Sequence, residues 1–137
     1  MVSMQQLIHT LTLNPGASEE MIQKTEHHLE CVFPDDYRTF IRLSNGAEGS
    51  IGRDGYIALW SLDEVIELNE LCNVKKFAPG LILFGGDGGG EAFAFDARYG
   101  SMPIVQVAYV GMSLDPNELI ALAPTFLTFL QQQYDQR

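Results

Sequence analysis

Two short apolar runs, Leu81 to Phe84 and Ala92 to Phe95, flank the six residues Gly85-Gly86-Asp87-Gly88-Gly89-Gly90. No other feature constrains the fold as much. Runs of this length suit strands, and glycine supplies the backbone freedom that a chain reversal needs. The pattern predicts an antiparallel hairpin with a long glycine loop. Ile104 to Val110 predicts a further strand, and Tyr56-Ile57-Ala58-Leu59-Trp60 has the β-branched and aromatic content of another. Gly46 to Gly55, just before it, reads as a Gly-rich loop.

Helical periodicity surrounds these strands. Leu7, Ile8 and Leu11 predict a short opening helix ended by Asn14-Pro15-Gly16. Ser18 is placed to cap a helix over 18–31, with Glu19 and Glu20 at its positive end and Ile22, Thr25, Leu29 and Val32 at helical spacing. Pro34 suits the first turn of the next helix, which carries Tyr37, Phe40 and Ile41 and leaves through Asn45-Gly46. Ser61-Leu62-Asp63-Glu64 has capping-box spacing, and Leu62, Val65, Ile66, Asn69 and Cys72 continue one face. Pro124 suits the first turn of a last helix with Phe126, Phe129, Leu130 and Tyr134 facing inward. Helices first, strands in the middle and a helix at the end predict an α+β class, with a central, mostly antiparallel sheet covered by helices on one face. At 137 residues, residues 1–137 form a single domain in this reading.

Eighteen acidic and eight basic residues leave a formal net charge of −10. Such a charge repels phosphate backbones and anionic lipid, so neither nucleic acid nor membrane is the expected ligand; it keeps a protein soluble and speeds encounter with a basic protein. Two cysteines, an N-terminus without a basic segment leading into an apolar run, and no apolar stretch near the roughly 20 residues of a membrane span give the cytoplasm as the expected location.

The chemical motifs are weak. The glycine run lacks Gly-Lys-Ser/Thr, does not match G-x-G-x-x-G, and leads into a strand beside Asp87 and Glu91, which oppose phosphate. Asp87, Glu91 and Asp96 could bring carboxylates together across the hairpin for a hard cation or an acid/base pair, without the pattern of a calcium loop. His27 and Cys31 stand four apart on the predicted helix, but His28 projects elsewhere and further ligands would have to come from Cys72, His9 or a carboxylate. Gly49-Ser50-Ile51-Gly52 has the wrong spacing for a nucleophile elbow. No catalytic, metal-ligating or cofactor-binding residue is assigned, no cofactor is expected, and the chain reads as a non-enzyme. Apolar surface at the hairpin or around Trp60 could serve dimerisation, or simply the core.

The helix after Ser61 is more informative. Asp63, Glu67 and Glu70 share a face opposite Leu62, Val65, Ile66 and Asn69, and Glu64 adds a fourth acid. Residues 61–72 contain no basic residue. The helix dipole accounts for Asp63 and Glu64 but not for Glu67 and Glu70. A solvated face or an acidic docking face fits; Asp63, Glu64, Glu67 and Glu70 are the candidate protein-binding residues.

Over about 17–131 the chain resembles the SUKH superfamily, which includes Smi/Knr-type cell-wall-assembly regulators of fungi and many bacterial immunity proteins. The residues that carry the resemblance begin with Ser18-Glu19-Glu20, Phe33-Pro34-Asp35-Asp36-Tyr37 and Leu43-Ser44-Asn45-Gly46. Pro79-Gly80, Leu83-Phe84-Gly85, Gly90-Glu91 and Phe95-Asp96 follow, then Pro103-Ile104 and Ala123-Pro124-Thr125-Phe126. Phe33 replaces the usual leucine and Thr125 the usual serine. The resemblance implies a protein-binding α+β scaffold: an immunity-type protein that neutralises a toxin domain, often a nuclease, or a regulatory scaffold for an endogenous protein. Together with the acidic excess it gives a toxin domain with a basic surface as the expected partner.

Overall fold

The computed structural model describes residues 3–136. Met1, Val2 and Arg137, which fall within the span 1–137 and, for the first two, within the N-terminal reading, lie outside the described residues. The chain opens on α1 (Met4–Ile8), where Ser3 and Gln6 form a capping box. The expected turn at Asn14-Pro15-Gly16 does not follow directly, because Thr12–Leu13 first pair as β1.

Next come α2 (Glu19–Leu29), α3 (Asp35–Leu43), β2 (Ala47–Ile51), β3 (Gly55–Leu59), α4 (Leu62–Leu71) and α5 (Val74–Phe77). The chain finishes as β4 (Leu81–Gly86), β5 (Glu91–Asp96), β6 (Ile104–Ala108), β7 (Ile120–Ala123) and α6 (Phe126–Asp135). The seven strands lie side by side in chain order, every pair antiparallel. The protein is therefore α+β with a wholly antiparallel meander.

Several boundaries differ from expectation for identifiable reasons. α2 is capped by Ser18 as predicted but ends at Leu29, because Glu30 turns left-handed (φ 56°). Glu26, one turn back, is buried and accepts hydrogen bonds from the Phe33 N–H (2.7 Å) and from Arg38 Nη2 (2.6 Å) and Nε (3.1 Å). This carboxylate ties the α2–α3 connection in its bend. Pro34 is the N-cap of α3 instead of a first-turn residue, and Thr125, not Pro124, opens α6. Asp36 reaches across to accept the Leu127 N–H at 2.8 Å, so α3 satisfies an otherwise unpaired donor at the start of α6.

The loop expected over Gly46 to Gly55 is mostly strand. β2 occupies it, paired from Ala47↔Leu59 to Ile51↔Gly55, and Tyr56-Ile57-Ala58-Leu59 belongs to β3 while Trp60 leaves it. Gly46 holds the left-handed conformation (φ 86°) at a point where a Cβ would meet Ser61 N at 2.6 Å. The glycine loop also shrinks. Gly85 and Gly86 are strand residues opposite Phe93 and Ala92, which leaves Asp87–Gly90 as the turn. A Cβ on Gly85 would stand 2.4 Å from the Ala58 carbonyl, so glycine there admits β3 alongside β4.

β4 and β5 are buried at almost every position, so cover is not confined to one face at the centre of the sheet. One face carries an aromatic cluster in which Phe84 and Phe95 lie 4.5 Å apart, Phe93 and Phe129 4.8 Å, and Tyr37 stands edge-on to Phe126 at 5.0 Å. Such pairs contribute about 0.5–1.5 kcal/mol each beyond area burial. Met112, Leu114 and Leu119, from the segment joining β6 to β7, also pack against the core. Trp60 is buried, which removes it from any dimerisation surface.

Candidate protein-binding face

α4 forms where predicted. Ser61 accepts the Glu64 N–H, Glu64 Oε1 accepts the Ser61 N–H at 3.0 Å, and Leu62 and Val65 are buried. Asp63, Glu64, Glu67 and Glu70 are all exposed. They are not equivalent. Glu64 is engaged in the cap, and Glu70 Oε1 meets His28 Nε2 of α2 at 2.9 Å. Asp63 and Glu67 have no ion-pair partner among the described residues. The continuous negative stripe expected from the sequence is thus an exposed stripe with one contact to a histidine, ending where α5 places Lys75 and Lys76.

The opposite side of α4 seals a sheet edge. β3 pairs with β4 only at Gly85 and Gly86, so the first half of β4, paired with β5 on one side, has no strand on the side that faces β3. Asn69 fills that place: its Oδ1 accepts the Leu83 N–H at 2.9 Å, and its Nδ2 donates to the Leu83 carbonyl at 2.9 Å and to Val65 O at 2.6 Å. Below this contact lies a half-enclosed pocket of about 270 Å³, with Leu29, Ile66, Val74, Leu81 and Ile82 as its apolar walls. His28, Glu70 and Lys75 stand at its rim. Nothing in the sequence brings these residues together, because α2, α4, α5 and β4 each contribute.

The other candidate constellations separate. Glu91 opens β5 and Asp96 closes it, roughly 17 Å apart at about 3.4 Å per residue. Asp87 Oδ1 accepts the N–H groups of Gly89 (2.8 Å) and Glu91 (3.3 Å), a local turn contact. Asp96 is buried and bound in two-pronged fashion by Arg98 Nε (2.9 Å) and Nη2 (2.8 Å). The guanidinium holds the Asp96 carboxyl below its ordinary range against the opposing effect of burial. The three carboxylates therefore form no common site.

His27 and Cys31 lose their helical relation once α2 stops at Leu29. Burial, with Glu26 adding to it, pushes the Cys31 thiol up to about 11, which disfavours the thiolate that a ligand or nucleophile needs. Burial also raises Cys72, at the end of α4, while His9 lies beside Tyr134 on α6. Gly49, Ser50 and Ile51 are strand residues of β2. Among the described residues no group of three or more His, Cys, Asp or Glu side chains is arranged to hold a metal ion. No helix among them is long and apolar enough to cross a membrane.

Comparison with known proteins agrees with this architecture. The uncharacterized protein YnaB of Bacillus subtilis (strain 168) is 36% identical over 90 residues, which cover 66% of this chain and 53% of YnaB. The chain thus matches about half the length of that relative. The SMI1 / KNR4 family (SUKH-1) matches residues 16–132, from the turn before α2 into α6, so the whole sheet beyond β1 falls within the match. On that match, the chain belongs to the SMI1 / KNR4 family (SUKH-1).

Proposed function

We propose that this protein binds and neutralises a cognate toxin domain with a basic surface, in the manner of an immunity protein, and that the exposed face of α4 makes the contact. Family membership supports a protein-binding role of an immunity or regulatory kind. The acidic face supports a partner with a basic surface: Asp63 and Glu67 project into solvent without a cationic partner among the described residues, with Glu70 beside them. Exposed charge of one sign steers a partner of the other sign and acts chiefly on the association rate. In this reading the protein has no catalytic step, acts in the cytoplasm, and uses neither nucleic acid nor membrane as a ligand.

The test is affinity capture from native extract on the purified chain, followed by calorimetry and stopped-flow binding with the basic domain recovered, at low and high salt. Reversal of Asp63, Glu67 and Glu70 to lysine should slow association and flatten its salt dependence. Unchanged affinity and salt dependence would remove α4 from the interface.

A further inference from the structure

We infer that the pocket between α2, α4, α5 and the half of β4 left unpaired by β3 receives one apolar side chain of the partner, flanked by a cation on its α4 side. The inference rests on the reading of α4 as the docking face and adds the chemistry of what docks there.

The pocket follows from how β4 is covered. Where β3 departs, α4 meets the sheet edge through the Asn69 amide, and the chain then leaves α4 through Asn73 in a left-handed turn (φ 53°) before α5. Asn69 holds α4 against this part of β4, and the space beside it is walled by α2, α4, α5 and β4 together. Leu29 and Ile66 line this space and are only half-buried, so their apolar surface is incompletely covered by the chain's own residues.

Size and charge select the occupant. At about 270 Å³ the pocket lies below the roughly 300–1,000 Å³ of drug-sized ligand sites, and it fits a single large side chain. Well-packed anchors of this kind, aromatic ones above all, dominate many protein interfaces. Ile66 and Glu70 are one helical turn apart and both line the pocket, with Glu67 on the neighbouring solvent side. An arginine or lysine next to the anchor would meet Glu67 and Glu70, whose only ion-pair partner among the described residues is His28. Lys75, at the α5 end, excludes a second cation there and suits a carbonyl or carboxylate of the docked segment.

The experiment is a methyl and amide NMR titration of the intact chain with three small peptides: N-acetyl-arginyl-tryptophan amide, N-acetyl-arginyl-alanine amide and N-acetyl-glutamyl-tryptophan amide. The first should shift the methyls of Ile66 and Val74 and the side-chain amide of Asn69 saturably, with affinity about tenfold or more above either of the others, as expected when one anchor or one charge contact is lost. Ile66→Phe, checked for a folded spectrum, should remove the advantage of tryptophan over alanine. Glu67→Lys with Glu70→Lys should remove that of arginine over glutamate.

If the two arginyl peptides bind α4 equally well, the pocket is not an anchor site, while the acidic docking face stands. If the two tryptophyl peptides bind equally well, the charge reading of α4 fails and takes the flanking cation with it. Shifts centred elsewhere, or none at millimolar peptide, overturn the inference.

Discussion

Asn69 binds Leu83 through both polar atoms of its side-chain amide, Oδ1 accepting the backbone N–H and Nδ2 donating to the backbone carbonyl, each at 2.9 Å. One side chain thereby does for β4 what the missing stretch of β3 would have done. The pairing also fixes α4, and with it the acidic face, against the sheet.

Replacing Asn69 with leucine should therefore destabilise the fold by about 2–3 kcal/mol, since two buried backbone groups of Leu83 lose their partners. Denaturant unfolding would measure the loss. Amide exchange at Leu83 should rise more than at Phe95, which pairs inside the sheet with Ile82 and Ile104.

Glu26 is the corresponding fastener of the helical layer. Glu26→Ala leaves the buried Phe33 N–H without its acceptor and should cost about 2–3 kcal/mol, chiefly through that donor, because the Arg38 guanidinium keeps access to water. Glu26→Gln should cost less, because an amide oxygen still accepts from Phe33. A double-mutant cycle with Arg38→Met would separate the ion pair from the backbone bond.

Tyr37 has the opposite character. Its ring is wholly buried among Phe33, Phe95 and Phe126, yet its hydroxyl has no hydrogen-bond partner among the described residues. Burial drives its ionisation far above the ordinary range, with Cys31 a smaller contribution. Tyr37→Phe should leave thermal stability unchanged or raise it by about 1 kcal/mol, because it removes an unpaired polar group and keeps the ring. A loss above that size would reveal a partner for the hydroxyl.

Asp96 makes stability depend on acid. Arg98 lowers its folded-state pKa below the unfolded value of about 3.9, so the folded protein binds fewer protons there than the unfolded chain. The contribution is complete above about pH 4 and is lost as pH falls through the folded-state value. The stability difference between the natural chain and Asp96→Asn should be constant from about pH 5 to 7 and shrink below about pH 4. Parallel urea titrations at each pH would show it.

Local patterns were legible where a residue's role depends on near neighbours. Ser18 and Ser61 cap the helices that follow, the apolar runs around the glycines pair as β4 and β5, and the exposure of Asp63, Glu64, Glu67 and Glu70 follows from helical spacing. Elements that depend on distant partners were not. β2 has a glycine at its centre and an exposed glutamate and serine on either side, so its strand character comes from pairing with β3, not from its own residues. The two residues of β1 and the four of β7 are too short to show a period.

The order of periodic segments and the acidic bias of α4 are therefore properties of the sequence alone, since backbone propensity and side-chain spacing act within a turn or a strand. Tertiary structure decided the rest. It separated Asp96 from Asp87 and Glu91 along a strand, ended α2 before Cys31, gave Glu70 a histidine partner, and opened a pocket beneath Asn69. Each of these depends on groups brought together across long stretches of chain, where hydrogen-bond satisfaction and close packing select partners that no local pattern encodes.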